Sequence, residues 1–376
     1  LQSKLNCWRE RIWLNACGQQ HSLGVKMMNE KGNAIALSHH PGMTLREACL
    51  QASSFLSGAG VDEARANAEL LLMHLLGMER AALIRDWGEL LPIDIWEQWT
   101  ERVRRRAAGE PVQYIIGEQW FYGLPFTVRP GVLIPRPETE LLVEAVLAAA
   151  DELWPEARGA QAGRAAGGEA GGDEAASQDG AGPAAVQQGR VVPTVIDVGT
   201  GSGAIAVTLA AQRHAWRVCA SDLSEDALEV ARTNAARHGV GGRVQFVRGD
   251  LLGPFVQQRP GSGGSPGELA GLRADVLVSN PPYIPAGDLP HLQREVRDYE
   301  PRLALDGGAD GLDPYRRMLA QLPELARLPR LVAFELGMGQ AQQVAQLLRD
   351  YGAWEDIRII TDYGGIERHV IALSAK

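Results

Sequence analysis

The feature that most restricts this chain is an alternation of short apolar runs and helical patterns across residues 191–376. "VPTVIDVG" reads as a strand, "AIAVTLAAQR" as a helix and "WRVCASD" as a strand. "SEDALEVARTNAARHG" follows as a helix, with Ser224 as its cap and Gly239 at its end. "RVQFVRGD", "ADVLVSN" and "RLVAFELG" continue the strands, and "DPYRRMLAQLPELA" and "GQAQQVAQLLRDYG" the helices. Apolar strands separated by helices bury both faces in a mostly parallel sheet with helices on either side. "DIRIITDY" and "ERHVIALS" are joined by a few residues around "GG". They predict an antiparallel hairpin at one edge.

Open sheets of this kind bind ligands beyond the carboxyl ends of their strands. The first strand runs into Gly199, Thr200, Gly201, Ser202 and Gly203 before the helix begins. Glycines there let the backbone turn tightly and approach a ligand closely. The spacing is G-x-G-x-G, whereas dinucleotide loops carry G-x-G-x-x-G. Asp197 stands beside the loop. A carboxylate there repels pyrophosphate but tolerates a ligand with a sulfonium and an ammonium group. Asp222 ends the next strand, roughly 20 residues further on, where an acid binds ribose hydroxyls. Asp250 follows the third strand, placed to meet an adenine amino group, and Asn280 ends the fourth. Each acid alone is equally an ordinary turn or cap residue. The ordered set points to S-adenosylmethionine-dependent methyltransferases with a Rossmann-like sheet.

Asn280 opens the sequence Asn280-Pro281-Pro282-Tyr283. An amide nitrogen is a poor nucleophile, because its lone pair is delocalised. Methylating it calls for acceptors that hold both N–H bonds while positive charge develops. The Asn280 side-chain oxygen offers one acceptor and the Pro281 carbonyl the other, with two prolines fixing the direction of that carbonyl. Tyr283 supplies a ring to pack over a planar group. The tetrapeptide suits the exocyclic amine of a nucleobase as well as a glutamine side chain.

The rest of the chain reads differently. Residues 43–109 carry amphipathic helical patterns that predict a small bundle. In one helix Asp62 is placed to cap the start and Gly77 to end it; in another Ile95, Trp96, Trp99 and Val103 share a face. Arg102, Arg104, Arg105 and Arg106 cluster at the end of that second helix. They suit a solvated face near the negative end of a helix dipole, or a docking patch. Residues 110–133, with "PVQYIIG" and "QWFYGLPFTV", predict a hairpin between two domains, and 134–376 form the larger domain. Residues 1–42 show no sustained period, and are expected to be a poorly structured extension, either a genuine tail or sequence ahead of a start at Met43. The Gly/Ala-rich stretch 156–190 and the shorter 259–268 read as flexible insertions. A net charge of −9 argues against stable nucleic-acid binding. The four cysteines have no metal-ligand spacing, and no apolar run reaches the ~18 residues of a membrane span. A cytoplasmic monomer is expected.

Taken together, residues 43–375 resemble the bacterial peptide-chain-release-factor glutamine N5-methyltransferases, the HemK type. The resemblance rests on "GEPVQYIIGEQWFYGLPFTVRPGVLIPRPETE", "DVGTGSGAIA", "SNPPYIP", "EVRDYEPRLALDGGADGLDPYRRML", "FELGMGQ" and "DYGGIERHVIA", in that order. It implies a helical domain that docks substrate, S-adenosylmethionine as methyl donor, and a release factor's Gly-Gly-Gln loop as acceptor. It also implies Leu251 against the adenine, where the family often has a tryptophan. The sister enzyme acting on a ribosomal-protein glutamine, an adenine-N6 methyltransferase and a non-catalytic cofactor-binding module are the competing readings. The helical domain, the acidic balance and "IPRPETE" speak against the nucleic-acid enzyme. The intact Asn-Pro-Pro-Tyr speaks against a mere binding module.

Overall fold

The computed structural model describes residues 24–28, 34–158, 192–257 and 265–375. Most of the two Gly-rich stretches and much of 1–42 therefore lie outside the described residues. The chain divides into two units, one ending at Glu118 and including Gln293–Tyr299, the other holding the remainder.

In the first unit β1 (Gly24–Met28) pairs antiparallel with β2 (Ala34–Ser38). Within the segment expected to be poorly structured, these two short strands satisfy each other's backbone groups and Leu37 is buried in the helical core, while residues 1–23 and 29–33 lie outside the described residues. That core lies among α1 (Leu45–Gly58), α2 (Ala64–Leu76), α3 (Arg80–Arg85) and α4 (Trp96–Ala107). Thr44 and Glu47 cap α1 reciprocally. Asp62 does not cap α2. Glu63 is the cap residue, in a left-handed conformation, and Asn67 donates its side-chain N–H to the carbonyls of Asp62 and Glu63. Gly77 does end α2, at φ 63°. Trp96, Trp99 and Val103 of α4 are buried together.

"VQYII" is α5 (Val112–Ile116), not the strand its β-branched composition predicts. Pro111 precedes it, Gly117 ends it at φ 80°, and Val112 and Ile115 join the helical core. Packing overrides a weak local preference here. The hairpin itself is shorter, β3 (Glu118–Phe121) with β4 (Leu124–Thr127).

The second unit carries α6 (Pro137–Leu153), β5 (Thr194–Val198), α7 (Ala204–Gln212), β6 (Arg217–Asp222), α8 (Glu225–Arg237), β7 (Val244–Arg248), β8 (Val276–Ser279), α9 (Asp313–Gln321), β9 (Leu331–Glu335), α10 (Ala341–Tyr351), β10 (Asp356–Thr361) and β11 (Glu367–Leu373). Its seven-stranded sheet has the order β10-β11-β9-β8-β5-β6-β7, parallel from β9 to β7. β11 runs antiparallel to β9 and to β10, which gives the expected edge hairpin. Side chains alternate between the two faces. Val195, Val276, Val278, Leu331 and Ala333 face one core with Leu142 and Val146 of α6. Ile196, Val198, Leu277, Val332 and Phe334 face the other, with Met318 of α9 and Val344 of α10. The same parity decides where two acids point. Asp197 and Glu335 share the face of Val195 and Ala333, the side that carries α6 and α7. Among the described residues no helix is long and apolar enough to cross a membrane.

Candidate active site

A cavity of about 430 Å³ opens at the carboxyl ends of β5, β6, β7 and β8. Gly199, Thr200, Gly201 and Ser202 line it, with Asp222, Asp250, Leu251, Asn280 and Pro282. The structure thus brings together most of the residues the sequence singles out, although they come from four strands.

The glycine loop is shaped by left-handed backbone at Gly199, Gly201 and Gly203, with φ of 71°, 57° and 82°. Gly203 is the most constrained. A Cβ there would meet the Cβ of Ala231 on α8 at 3.1 Å, so the loop sits close against that helix. Asn234 of α8 is fully buried and fastens the same loop. Its Nδ2 donates to the carbonyls of Ser202 (2.9 Å) and Thr127 (3.0 Å), and its Oδ1 accepts from the Thr127 N–H (2.7 Å).

Asp197 does not face the cavity. It is fully buried behind the loop, where Oδ2 accepts from Thr200 Oγ1 (2.6 Å) and from the Ala206 N–H (3.2 Å). Burial pushes this carboxyl up to about 7, with the nearby Asp222 charge adding to the shift. Its place is to join the loop to the first turn of α7. The physical reason is strand parity, which turns Asp197 toward the α7 side.

Asp222 does line the cavity. Its Oδ2 accepts from the Gly201 N–H (2.8 Å) and its Oδ1 from the Ser224 N–H (2.9 Å). Burial raises this carboxyl also, against the pull of those N–H groups. The Leu223 N–H acts on it as well, and a carboxylate has about four acceptor sites, so capacity remains for a hydroxyl donor. Asp250 is paired with Arg317 of α9 on the cavity rim. Leu251 holds a left-handed backbone at φ 51° and packs partly against the core. That conformation costs an L-residue about 1–2 kcal/mol. Ser221 Oγ supports it by donating to the Leu251 carbonyl.

The Asn280–Tyr283 segment is fixed at both ends. Asn280 Nδ2 donates to Thr139 Oγ1 at 3.1 Å. The Tyr283 carbonyl accepts from Gln340 Nε2 at 2.8 Å, while Gln340 Oε1 accepts from the Gly337 N–H. Pro281 is buried and Tyr283 half-buried. The Tyr283 hydroxyl is pushed upward by burial and by Glu335. Gly311 passes so close that a Cβ there would lie 2.2 Å from the Tyr283 carbonyl oxygen.

Behind Asn280 lies a buried acid that sequence reasoning did not assign. Glu335 ends β9, is 2% exposed, and lies beside Thr139 and Asn280, which favour its charged form, while its Oε2 has no hydrogen-bond partner among the described residues. Burial pushes it up to about 7. The available signal was an acid ending the otherwise apolar run "LVAFE" at a carboxyl strand end. Arg136 of the "RPETE" segment lines the cavity and pairs with the buried Glu300.

The arginine cluster on α4 is not an open cationic patch. Arg106 is 5% exposed, pairs with Glu295 at 2.6 Å and donates to Asn67. Arg105 pairs with Glu110, Arg104 with Glu101, and Arg102 lies 2.9 Å from His74 Nδ1.

Fold and cavity together are those of a Rossmann-like methyltransferase, and residues 195–259 match a methyltransferase domain family. Residues 47–117 match the PrmC N-terminal domain. The release factor glutamine methyltransferase of Moorella thermoacetica is 40% identical over 331 residues, covering 88% of this chain and 98% of that one. The protein of the same name from Bacillus subtilis is 37% identical, over 89% and 99% of the two chains. The chain belongs to the release factor glutamine methyltransferase family.

Proposed function

We propose that this protein transfers a methyl group from S-adenosylmethionine to the side-chain nitrogen of the glutamine in the Gly-Gly-Gln loop of peptide chain release factors. The cavity suits that donor. Its floor is a glycine loop whose backbone approaches a ligand closely, and Asp222 keeps acceptor capacity for ribose hydroxyls. A cation in the cavity would also draw the raised Asp222 toward its charged form. Leu251 and the aliphatic rim near Asp250 suit an adenine ring. S-adenosylmethionine would supply an electrophilic methyl on sulfur.

The chain's own residues would do the rest. Asn280 Oδ1 accepts one N–H of the glutamine amide and the Pro281 carbonyl the other. Both acceptors would then meet the nitrogen where positive charge develops, on a segment held at Asn280 by Thr139 and at Tyr283 by Gln340. Alignment of that nitrogen with the methyl lowers the barrier further. A glutamine side chain is too small to confer selectivity, so recognition of the release factor must come from remote contacts. The helical unit, with Leu50, Ile84, Leu90 and Ile93 each at least half exposed, is the element we assign to docking.

The observation that carries this reading is Asn280, held by its amide nitrogen with its oxygen left for a substrate, on the wall of the cavity. Asn280→Ala removes one of two acceptors. Methylation of a purified release factor should fall about 10²–10³-fold in kcat, with affinity for S-adenosylmethionine largely kept. Near-normal turnover by the folded variant would refute the role.

A further inference from the structure

We infer that Thr139 and Glu335 act as positioning residues that set the orientation of the Asn280 carboxamide, so that its oxygen and not its nitrogen is presented to the substrate amide. This rests on the role proposed for Asn280. A carboxamide has two nearly isosteric ends, and only one is an acceptor. A flipped Asn280 would point N–H groups at a substrate that also brings N–H groups.

The geometry breaks that symmetry. Asn280 Nδ2 lies 3.1 Å from Thr139 Oγ1. Thr139 is 4% exposed and sits in the first turn of α6, on the cavity wall. A hydroxyl that accepts from Asn280 needs somewhere to send its own hydrogen. Glu335 is the buried acceptor beside it, with Oε2 otherwise unpartnered among the described residues, and Thr139 first and Asn280 second favour its charged form. An ionised Glu335 only accepts, so the direction runs one way, with both Asn280 and Thr139 donating inward. The oxygen of Asn280 is then the end turned to the cavity. A protonated Glu335 has a hydrogen to give, competes for Thr139 Oγ1, and removes the bias.

The groups around Glu335 hold it near this balance. Glu138 on α6 opposes its charge and Arg368 on β11 favours it. The His369 imidazole lies 3.9 Å away and is kept neutral by burial. Tyr283 and Tyr315 lie near enough for the acid's charge to raise their hydroxyls, and the Tyr315 hydroxyl donates to the Glu335 backbone carbonyl at 2.7 Å. Ionisation of Glu335 therefore falls near neutral pH, and the fraction of correctly turned Asn280 rises with it.

The test compares Thr139→Val, Thr139→Ser, Glu335→Gln and Asn280→Ala, each full length, with a purified release factor and S-adenosylmethionine. Thr139→Val keeps the shape of the side chain but removes the hydroxyl. Its kcat should fall on the order of 10-fold or more, because a reacting group turned the wrong way is costly. Its S-adenosylmethionine Kd and Tm should stay near those of the native protein, and Thr139→Ser should recover most of the rate. The native kcat should rise with pH through about 7, and Glu335→Gln should lose that rise. Native kcat in Thr139→Val, or a Kd that weakens in step with kcat, would overturn the positioning role. Should Thr139→Val not fold, the pH profile of Glu335→Gln decides, and an unchanged profile overturns it. An inactive Asn280→Ala beside a fully active Thr139→Val would sink only this inference. An active Asn280→Ala would sink the reading of the site itself.

Discussion

Asp222 has two tasks in this structure, and replacing it separates them. In the protein alone it ties the glycine loop, with Gly201 N–H on one oxygen at 2.8 Å and Ser224 N–H on the other at 2.9 Å. With cofactor bound, its remaining acceptor sites would take the ribose hydroxyls. Asp222→Ala removes both. A hydrogen bond to a charged group contributes about 1.5–3 kcal/mol. Losing one such ribose contact weakens binding by about 10- to 150-fold at 1.4 kcal/mol per tenfold. Stability should fall by less than the two lost backbone contacts suggest, because burial disfavours the charged carboxylate and that cost disappears with it. Asp222→Asn keeps an oxygen for one backbone N–H, but it presents an N–H donor where a second acceptor is needed. It should lie between Ala and the native protein in Tm, yet stay close to Ala in affinity. Calorimetric titration with S-adenosylmethionine, alongside thermal unfolding, measures both. An Asp222→Ala protein that loses Tm but keeps its Kd would show that the residue only holds the loop.

Two further outcomes follow from the same structure. Asp197 and Glu335 are each pushed up to about 7, so between the ordinary carboxylate range and pH 7 the unfolded chain releases protons that the folded chain retains. The stability these two groups contribute should therefore be complete below about pH 4 and fall as pH rises toward 7, by up to about 1.4 kcal/mol per pH unit for each group. Urea midpoints across that window test this, and a flat profile would refute it. Leu90→Ser with Ile93→Ser should raise KM for the release factor several-fold and leave kcat and cofactor affinity alone, while an unchanged KM removes those residues from the docking face. This is a cleaner test than cutting away the helical unit, since removing Arg106 strips Glu295 of its partner.

What the sequence determined by itself is what local geometry determines. Short apolar runs such as "TVIDV" and "LVAFE", a helical period in "EDALEVARTNAAR" and glycines where the backbone turns left-handed are properties of neighbouring residues. They were enough to locate the strands along the chain, place the loop and put Asp222, Asp250 and Asn280 at carboxyl ends, whereas the order of the strands in the sheet came from the structure. Alternation makes Asp197 share a face with Val195 and Glu335 with Ala333, but only the packing of α6 and α7 shows that this face lies behind the loop. The tertiary structure decided the partners. "VQYII" became a helix because its apolar side chains found the helical core. Arg106, which local charge pattern places on a solvated face or, failing that, a docking patch, is buried against an acid 189 residues away. Asn280 meets Thr139 across 141 residues of chain. Such pairings depend on which elements pack together, and burial then makes each one obligatory, because a polar group withdrawn from water must find its partner inside the fold.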